Sequence, residues 1–254
     1  MIFDTHAHYN DEAFDEDRDS LLKKIKESGV DYIVNIGANM ESSRETVKLT
    51  QEYDFIYGAV GIHPNDAQEV TKENLCELKE MCRNDKIVAI GEIGLDYYWP
   101  EPSKEIQVKG LEAQIALAKE VNLPIAIHSR EAARDTADML GSLHAGDCGG
   151  VIHCYSYTKE MAREFLDMGF YIGIGGVVTF KNAKKIKEAV SYIPMDRIVL
   201  ETDCPYLAPT PYRGKRNSSL FLPYVAEEIA KIKNIPYEEV LAVTMSNAKK
   251  MYRI

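Results

Sequence analysis

Met1-Ile2-Phe3-Asp4-Thr5-His6-Ala7-His8 opens the chain as an apolar run that ends in two imidazoles one residue apart. In a strand, positions i and i+2 face the same side, so His6 and His8 can point together from a strand end. Neutral imidazole is a common metal ligand. Alone, a His-x-His near an N-terminus is more often a solvated turn. Its weight comes from repetition, because later apolar runs also end in His, Asp or Glu.

Working outward, eight short apolar runs read as strands. After the first come Tyr32–Ile36, Phe55–Ile62, Ile87–Glu92, Pro124–His128, Gly150–His153, Tyr171–Ile174 and Arg197–Asp203. Helical patterns separate them, at about Asp19–Glu27, Ser43–Glu52, Lys72–Arg83, Lys104–Val121, Ala132–Leu143, Lys159–Met168 and Asn182–Val190. Two more, Ser219–Lys233 and Tyr237–Met251, close the chain. Short apolar runs suit strands buried on both faces, and strict alternation with helices suggests parallel βαβ units. Eight such units closing on themselves give an α/β fold of the (β/α)8 TIM-barrel type, expected as one domain over residues 1–254. A doubly wound open sheet is the alternative, though it usually has fewer strands.

A chain of 254 residues is the usual size for such a barrel. The net charge of −10 argues against nonspecific coating of duplex nucleic acid. It leaves a nucleic-acid substrate open, since bound divalent ions and a basic loop invert the local sign. The five cysteines are odd in number and lack CxxC spacing, so a reducing compartment and a cytoplasmic location are expected. No secretory signal and no apolar run near the roughly 20 residues needed to span a bilayer is visible.

The ligand-type residues fall at strand ends: His6 and His8, His63, Glu92, His128, His153 and Asp203. Barrel enzymes carry their chemistry there. Five of the six histidines sort this way, His144 being the exception. Glu92, at the end of an apolar strand, would be a buried charge without a partner unless a cation met it. His63 precedes Pro64 and reads as a substrate or outer contact rather than a ligand. Asp4 reads either as an acceptor that orients the histidine pair or as a turn aspartate. Glu201 lies two residues before Asp203 and is either an outer support or a lumen carboxylate.

This donor set exceeds what one tetrahedral ion needs. Two divalent ions about 3.5–4 Å apart, bridged by Glu92, fit the count better. Candidates are Mg, Mn, Zn, Ni, Co or Fe, with the imidazole-rich mix favouring the borderline metals. Asp203 is placed to take a proton from an attacking water, so metal-assisted hydrolysis is the expected reaction class. After the last strand, Tyr212-Arg213-Gly214-Lys215-Arg216-Asn217 concentrates three cations in an acidic chain. Arg213, Lys215 and Arg216, with Arg130 just after His128, read as phosphate contacts; their bland alternatives are a solvated loop and a surface salt bridge. Tyr97, Tyr98 and Trp99 either stack on bases or pack between barrel and helix.

These residues resemble the TatD family of metal-dependent hydrolases. The resemblance rests on Asp4-Thr5-His6-Ala7-His8, Gly61-Ile62-His63-Pro64, Gly91-Glu92-Ile93-Gly94-Leu95-Asp96-Tyr97, Ile127-His128-Ser129-Arg130, Ile152-His153-Cys154, Glu201-Thr202-Asp203 and the basic loop. It implies a TIM barrel of the amidohydrolase superfamily and a metal-dependent deoxyribonuclease. Members are described as 3′–5′ exonucleases on DNA, and some as D-aminoacyl-tRNA deacylases. Carried over by position, His6, His8, Glu92, His128, His153 and Asp203 become the metal ligands. Three positions depart from the family pattern. Ser218-Ser219 stands where Glu-Pro is usual, Tyr155-Ser156-Tyr157 where Phe-Ser-Gly is usual, and Cys204 where alanine is common.

The expected function is a nuclease on single-stranded DNA or 3′ ends. Aminoacyl-tRNA is the alternative substrate, an idle metal-binding scaffold the non-enzymatic reading, and no membrane or obligate protein partner is expected.

Overall fold

The computed structural model describes all residues, 1–254. Its strands are β1 (Ile2–Ala7), β2 (Val30–Ile36), β3 (Ile56–Val60), β4 (Ile87–Asp96), β5 (Ile125–Arg130), β6 (Gly150–Ile152), β7 (Tyr171–Ile174) and β8 (Ile198–Leu200). They form one parallel sheet in sequence order, β1 to β8. The intervening helices are α1 (Arg18–Glu27), α2 (Met40–Glu52), α3 (Lys72–Met81), α4 (Lys104–Val121), α5 (Ala133–Ser142), α6 (Lys159–Asp167) and α7 (Lys184–Tyr192). After β8 come α8 (Leu222–Lys233) and α9 (Tyr237–Tyr252). The fold is a (β/α)8 TIM barrel, as the alternation of apolar runs and amphipathic stretches predicts.

The strands are buried on both faces because helices cover the outside and side chains fill the lumen. All ten residues of β4 are buried. Local signals start and stop the helices. Asn39 and Ser42 form a reciprocal capping box on α2, and Asn122 ends α4 in the left-handed conformation. Phe3, Val34, Ala59, Ala89, Ala126, Val151 and Val199 join Met245, Ala248, Met251 and Tyr252 of α9 in one buried cluster. The Tyr252 hydroxyl donates to Thr5 O at 2.8 Å, and Asn247 Nδ2 donates to Ile198 O at 2.7 Å. α9 therefore plugs the N-terminal end of the barrel, leaving the C-terminal end as its mouth.

Of the strand ends that differ from expectation, two bear on the site. β4 does not stop at Glu92 but runs on through Gly94-Leu95-Asp96, because these residues pair with His128, Ser129 and Arg130 of β5. Gly94 permits this approach: its φ is +155°, and a Cβ there would lie 1.9 Å from His128 O. β8 stops at Leu200, so Asp203 is not in a strand; it sits at φ +56° beyond the ladder.

The seam between β8 and β1 carries only one bridge, Ala7 to Cys204. Backbone bonds flank it, Asp203 N–H to His6 O and His8 N–H to Cys204 O, each 2.9 Å. Further down, side chains do the ladder's work. Thr5 Oγ1 donates to Leu200 O at 2.9 Å, and Asp4 Oδ1 accepts from Thr202 N–H at 3.0 Å. Asp4 Oδ2 accepts from Thr202 Oγ1 at 2.7 Å and Ser219 Oγ at 2.6 Å.

Candidate metal centre

The barrel mouth brings His6, His8, His63, Glu92, His128, His153, Glu201 and Asp203 into one cluster. Glu92 lies within β4, His6 and His128 near the C-terminal ends of β1 and β5, and the others past the ends of their strands, all at the C-terminal side of the barrel.

Glu92 is at the centre, buried, and its two oxygens face different groups. Oε1 lies 2.7 Å from both His128 Nδ1 and His153 Nε2. Oε2 lies 3.4 Å from His6 Nε2 and 3.7 Å from His8 Nε2. Asp203 Oδ1 completes the second group, 3.4 Å from His8 Nε2 and 3.9 Å from His6 Nε2. Burial opposes the charge on Glu92, yet the surrounding histidines outweigh it and hold the carboxyl well below its usual range.

The outer nitrogens fix the rings. Ile36 O accepts from His8 Nδ1 at 3.1 Å, which turns the Nε2 lone pair inward. Asp96 Oδ2 lies 3.2 Å from His128 Nε2, which leaves Nδ1 facing Glu92. Burial lowers both imidazoles, but neighbouring carboxylates win: Asp203 and Glu92 raise His8 to about 8, and Asp96 and Glu92 raise His128 to about 9.

His6 and His153 stack with centroids 3.9 Å apart and planes 9° from parallel. Their Nδ1 atoms have no hydrogen-bond partner, and neither has Glu201 Oε2. One ring nitrogen of each histidine and one carboxylate oxygen of Glu201 lie within 4.8 Å of one another. Glu201 thus adjoins the stacked pair, with Oε1 accepting from Cys154 N–H. Gly173 makes the room, since a Cβ there would fall 2.1 Å from Glu201 Oε2. Burial, reinforced by Asp203, pushes the Glu201 carboxyl well above its usual range.

His63 differs from the other rings. Its Nδ1 accepts from Asn65 N–H at 3.1 Å, which puts the proton on Nε2, 3.7 Å from Glu92 Oε1. Burial, with His128 nearby, lowers it to about 3, and with Glu92 and His128 it forms a group of donor atoms within 4.8 Å of one another.

Two expected positions are placed elsewhere. Asp4 does not reach the rings of His6 or His8; its carboxyl accepts from Thr202, Ser219 and, at 3.4 Å, the His6 N–H, and it clamps the seam. Arg216 is not free for phosphate: it grips Asp17 in a two-pronged pair at 2.8 and 2.6 Å and donates to Ala13 O at 2.6 Å. Arg130, Arg213 and Lys215 carry no carboxylate partner and rest over Tyr98, Phe180 and Tyr212. Asp96 is the residue missed as part of the site. Its signal was present, since Glu92, Gly94 and Asp96 share a face once the strand is continued.

Residues 3–253 match the family described as TatD related DNase. The chain belongs to the TatD family of metal-dependent hydrolases. It is 48% identical, over the full length of both chains, to the uncharacterized metal-dependent hydrolase YabD of Bacillus subtilis. It is 30% identical, again over all of both chains, to a protein of Erwinia tasmaniensis named 3′-5′ ssDNA/RNA exonuclease TatD. The crystal structure of YJJV, a TatD homolog from Escherichia coli, superposes with a TM-score of 0.94 at 27% identity, covering 100% of this chain and 98% of that one. The donor set of this hydrolase suits divalent ions: imidazole nitrogens and carboxylate oxygens converge, and a buried carboxylate divides its oxygens between two groups. No helix is long and apolar enough to cross a membrane.

Proposed function

We propose that this TatD-family hydrolase is a nuclease with two divalent ions that trims single-stranded DNA from its 3′ end. The observation that carries the reading is Glu92, whose Oε1 and Oε2 each face a separate set of donors. His6, His8, Asp203 and Glu92 Oε2 would hold one ion; His128, His153 and Glu92 Oε1 would hold the other. Divalent ions there supply Lewis acidity and activate water for attack at neutral pH. Asp203 takes the proton of the attacking water and is kept ionised: burial opposes this, and the His8 contact outweighs it. His63 Nε2–H donates to a phosphoryl oxygen. Glu201 supports His6 and His153. Arg130, Arg213 and Lys215, unpaired at the mouth, hold phosphates.

The Erwinia relative, a 3′-5′ ssDNA/RNA exonuclease by name, supports nucleic acid as the substrate class. A mouth at the end of a closed barrel admits a strand end more readily than the middle of a duplex. The test is a time course on 3′-labelled linear and circular single strands, with and without added metal after chelation. Mononucleotides released first from the labelled end, only with metal, are expected. Rapid cutting of the circle would refute the end-first order. A chain that ignores DNA and clears D-aminoacyl-tRNA would move the assignment to the deacylase alternative.

A further inference from the structure

The loop after β4 presents three consecutive aromatic residues, and they divide in use. Tyr97 is engaged: its hydroxyl donates to Asp135 at 2.9 Å, and Lys104 Nζ lies 3.8 Å from its ring centroid. Tyr98 and Trp99 are 49% and 52% exposed, with centroids 4.9 Å apart and planes at 90°. Neither ring is packed against the apolar core, and exposing two large rings side by side forgoes their burial.

Arg130 completes the group. Its guanidinium carbon lies 3.8 Å over the Tyr98 ring, and no carboxylate engages it. The group is tied to the candidate metal centre through His128 from two directions. Asp96 spends one oxygen on His128 Nε2, at 3.2 Å, and the other on the Tyr98 N–H, at 2.9 Å. Arg130 stands two residues beyond His128 in β5 and pairs in register with Asp96. An exposed aromatic pair, a guanidinium over one of its rings and N–H donors with no carboxylate partner thus adjoin the candidate metal centre. That is the chemistry that takes an unpaired base on its π-face and a phosphate at its edge.

We infer that Tyr98, Trp99 and Arg130 form a stacking ledge for one unpaired nucleobase of the substrate, and that this ledge makes the enzyme select single strands. The inference rests on the nuclease reading above. Base-paired strands keep their faces inside the helical stack and have none to offer the ledge, so selection follows without any base-edge contact. It also follows that the ledge tolerates all four bases, since each has a π-face.

Trp99 is the one tryptophan of the chain, so intrinsic tryptophan fluorescence reports the ledge alone. The metal-loaded enzyme is mixed rapidly with a short oligothymidylate, or with an all-abasic phosphodiester chain of equal length, and read before turnover. The oligothymidylate should quench saturably. The abasic chain should bind roughly 10- to 100-fold more weakly and leave the signal unchanged. In steady state, Trp99→Ala should raise KM for the oligothymidylate by a similar factor and leave KM for the abasic chain where it was. Normal cleavage of the oligothymidylate with no quench, or with equal quench by the abasic chain, overturns the ledge and spares the nuclease. Failure to cleave the oligothymidylate at all overturns the nuclease reading and the ledge with it.

Discussion

The two walls of the barrel mouth that carry the candidate ligands are built by different means. On the β4–β5 side the ladder shifts register between Ile90 and Ile93, where Glu92 lies, and then runs in register from Ile93 and Ile127 out to Asp96 and Arg130, setting Asp96 and His128 by backbone geometry. On the β1–β8 side the ladder shrinks to a single bridge, and a buried carboxylate with its hydroxyl partners replaces it. His6, His8 and Asp203 hang from that side. One wall needs only alternation and close packing; the other depends on Asp4 finding Thr202 and Ser219 about 200 residues away. Glu92 leans across from the ladder wall to both groups, so the site is assembled only when the two walls hold register.

The largest effect expected is on chemistry at the seam wall. Asp203→Asn should lower turnover by ~10²–10⁴-fold at saturating metal, with a much smaller change in substrate affinity. Wild-type turnover in that variant would take the proton-accepting role away from the seam. Next is the clamp itself. Asp4→Ala removes the acceptor of two buried hydroxyls and two backbone N–H groups, and hydrogen bonds to a charged group contribute about 1.5–3 kcal/mol. For a barrel of this size the melting temperature should fall by roughly 5–10 °C, read by thermal unfolding. A change within about 1 °C would mean the seam holds without its carboxylate. On the ladder wall, Asp96→Asn should weaken metal binding by ~10–100-fold while leaving the fold intact, with excess metal restoring activity. Equal titration curves for variant and wild type would show that the ladder alone orients His128.

The ladder wall was legible in the sequence because its cause is local. Apolar runs of strand length end in Glu92 and His128, and their continuous apolar character marks both strands as buried on two faces. The reading fell short past Glu92 and His128: what extends β4 to Asp96 is a close approach of Gly94 to His128 O, a contact between strands. The seam was less legible. His6 and His8 announce themselves, but the task of Asp4 is set by Thr202 and Ser219, which no local pattern ties to it. Ser219 departs from the usual family residue and is nonetheless buried between Asp4 and Tyr9, its Oγ 2.8 Å from the Tyr9 hydroxyl. Asp203 was read as a strand residue for the same reason: the chain leaves the ladder at Glu201, and its left-handed turn leaves no mark in hydrophobic periodicity.

The smallest effect separates the cations of the loop that follows β8. The spacing of Arg213, Lys215 and Arg216 suggests three equivalent phosphate contacts, yet their surroundings differ. Arg216 lies over Phe14 with Asp17 in its fork, and the two charges hold each other ionised: Asp17 is lowered by Arg216, and Arg216 is raised by Asp17. Moving that guanidinium to a substrate would break a pair and a bond to Ala13 O for a gain of similar size. Arg213 and Lys215 have nothing to give up. Arg213→Ala and Lys215→Ala should therefore each raise KM for single-stranded DNA and reduce the log–log salt slope by about 1 or less. Arg216→Ala should leave KM and the salt slope unchanged and cost at most about 1 kcal/mol of stability, as exposed pairs do. A salt slope that falls equally in all three variants would show that Arg216 releases Asp17 to meet the strand, and the seam wall would then carry a mobile contact where the ladder wall carries a fixed one.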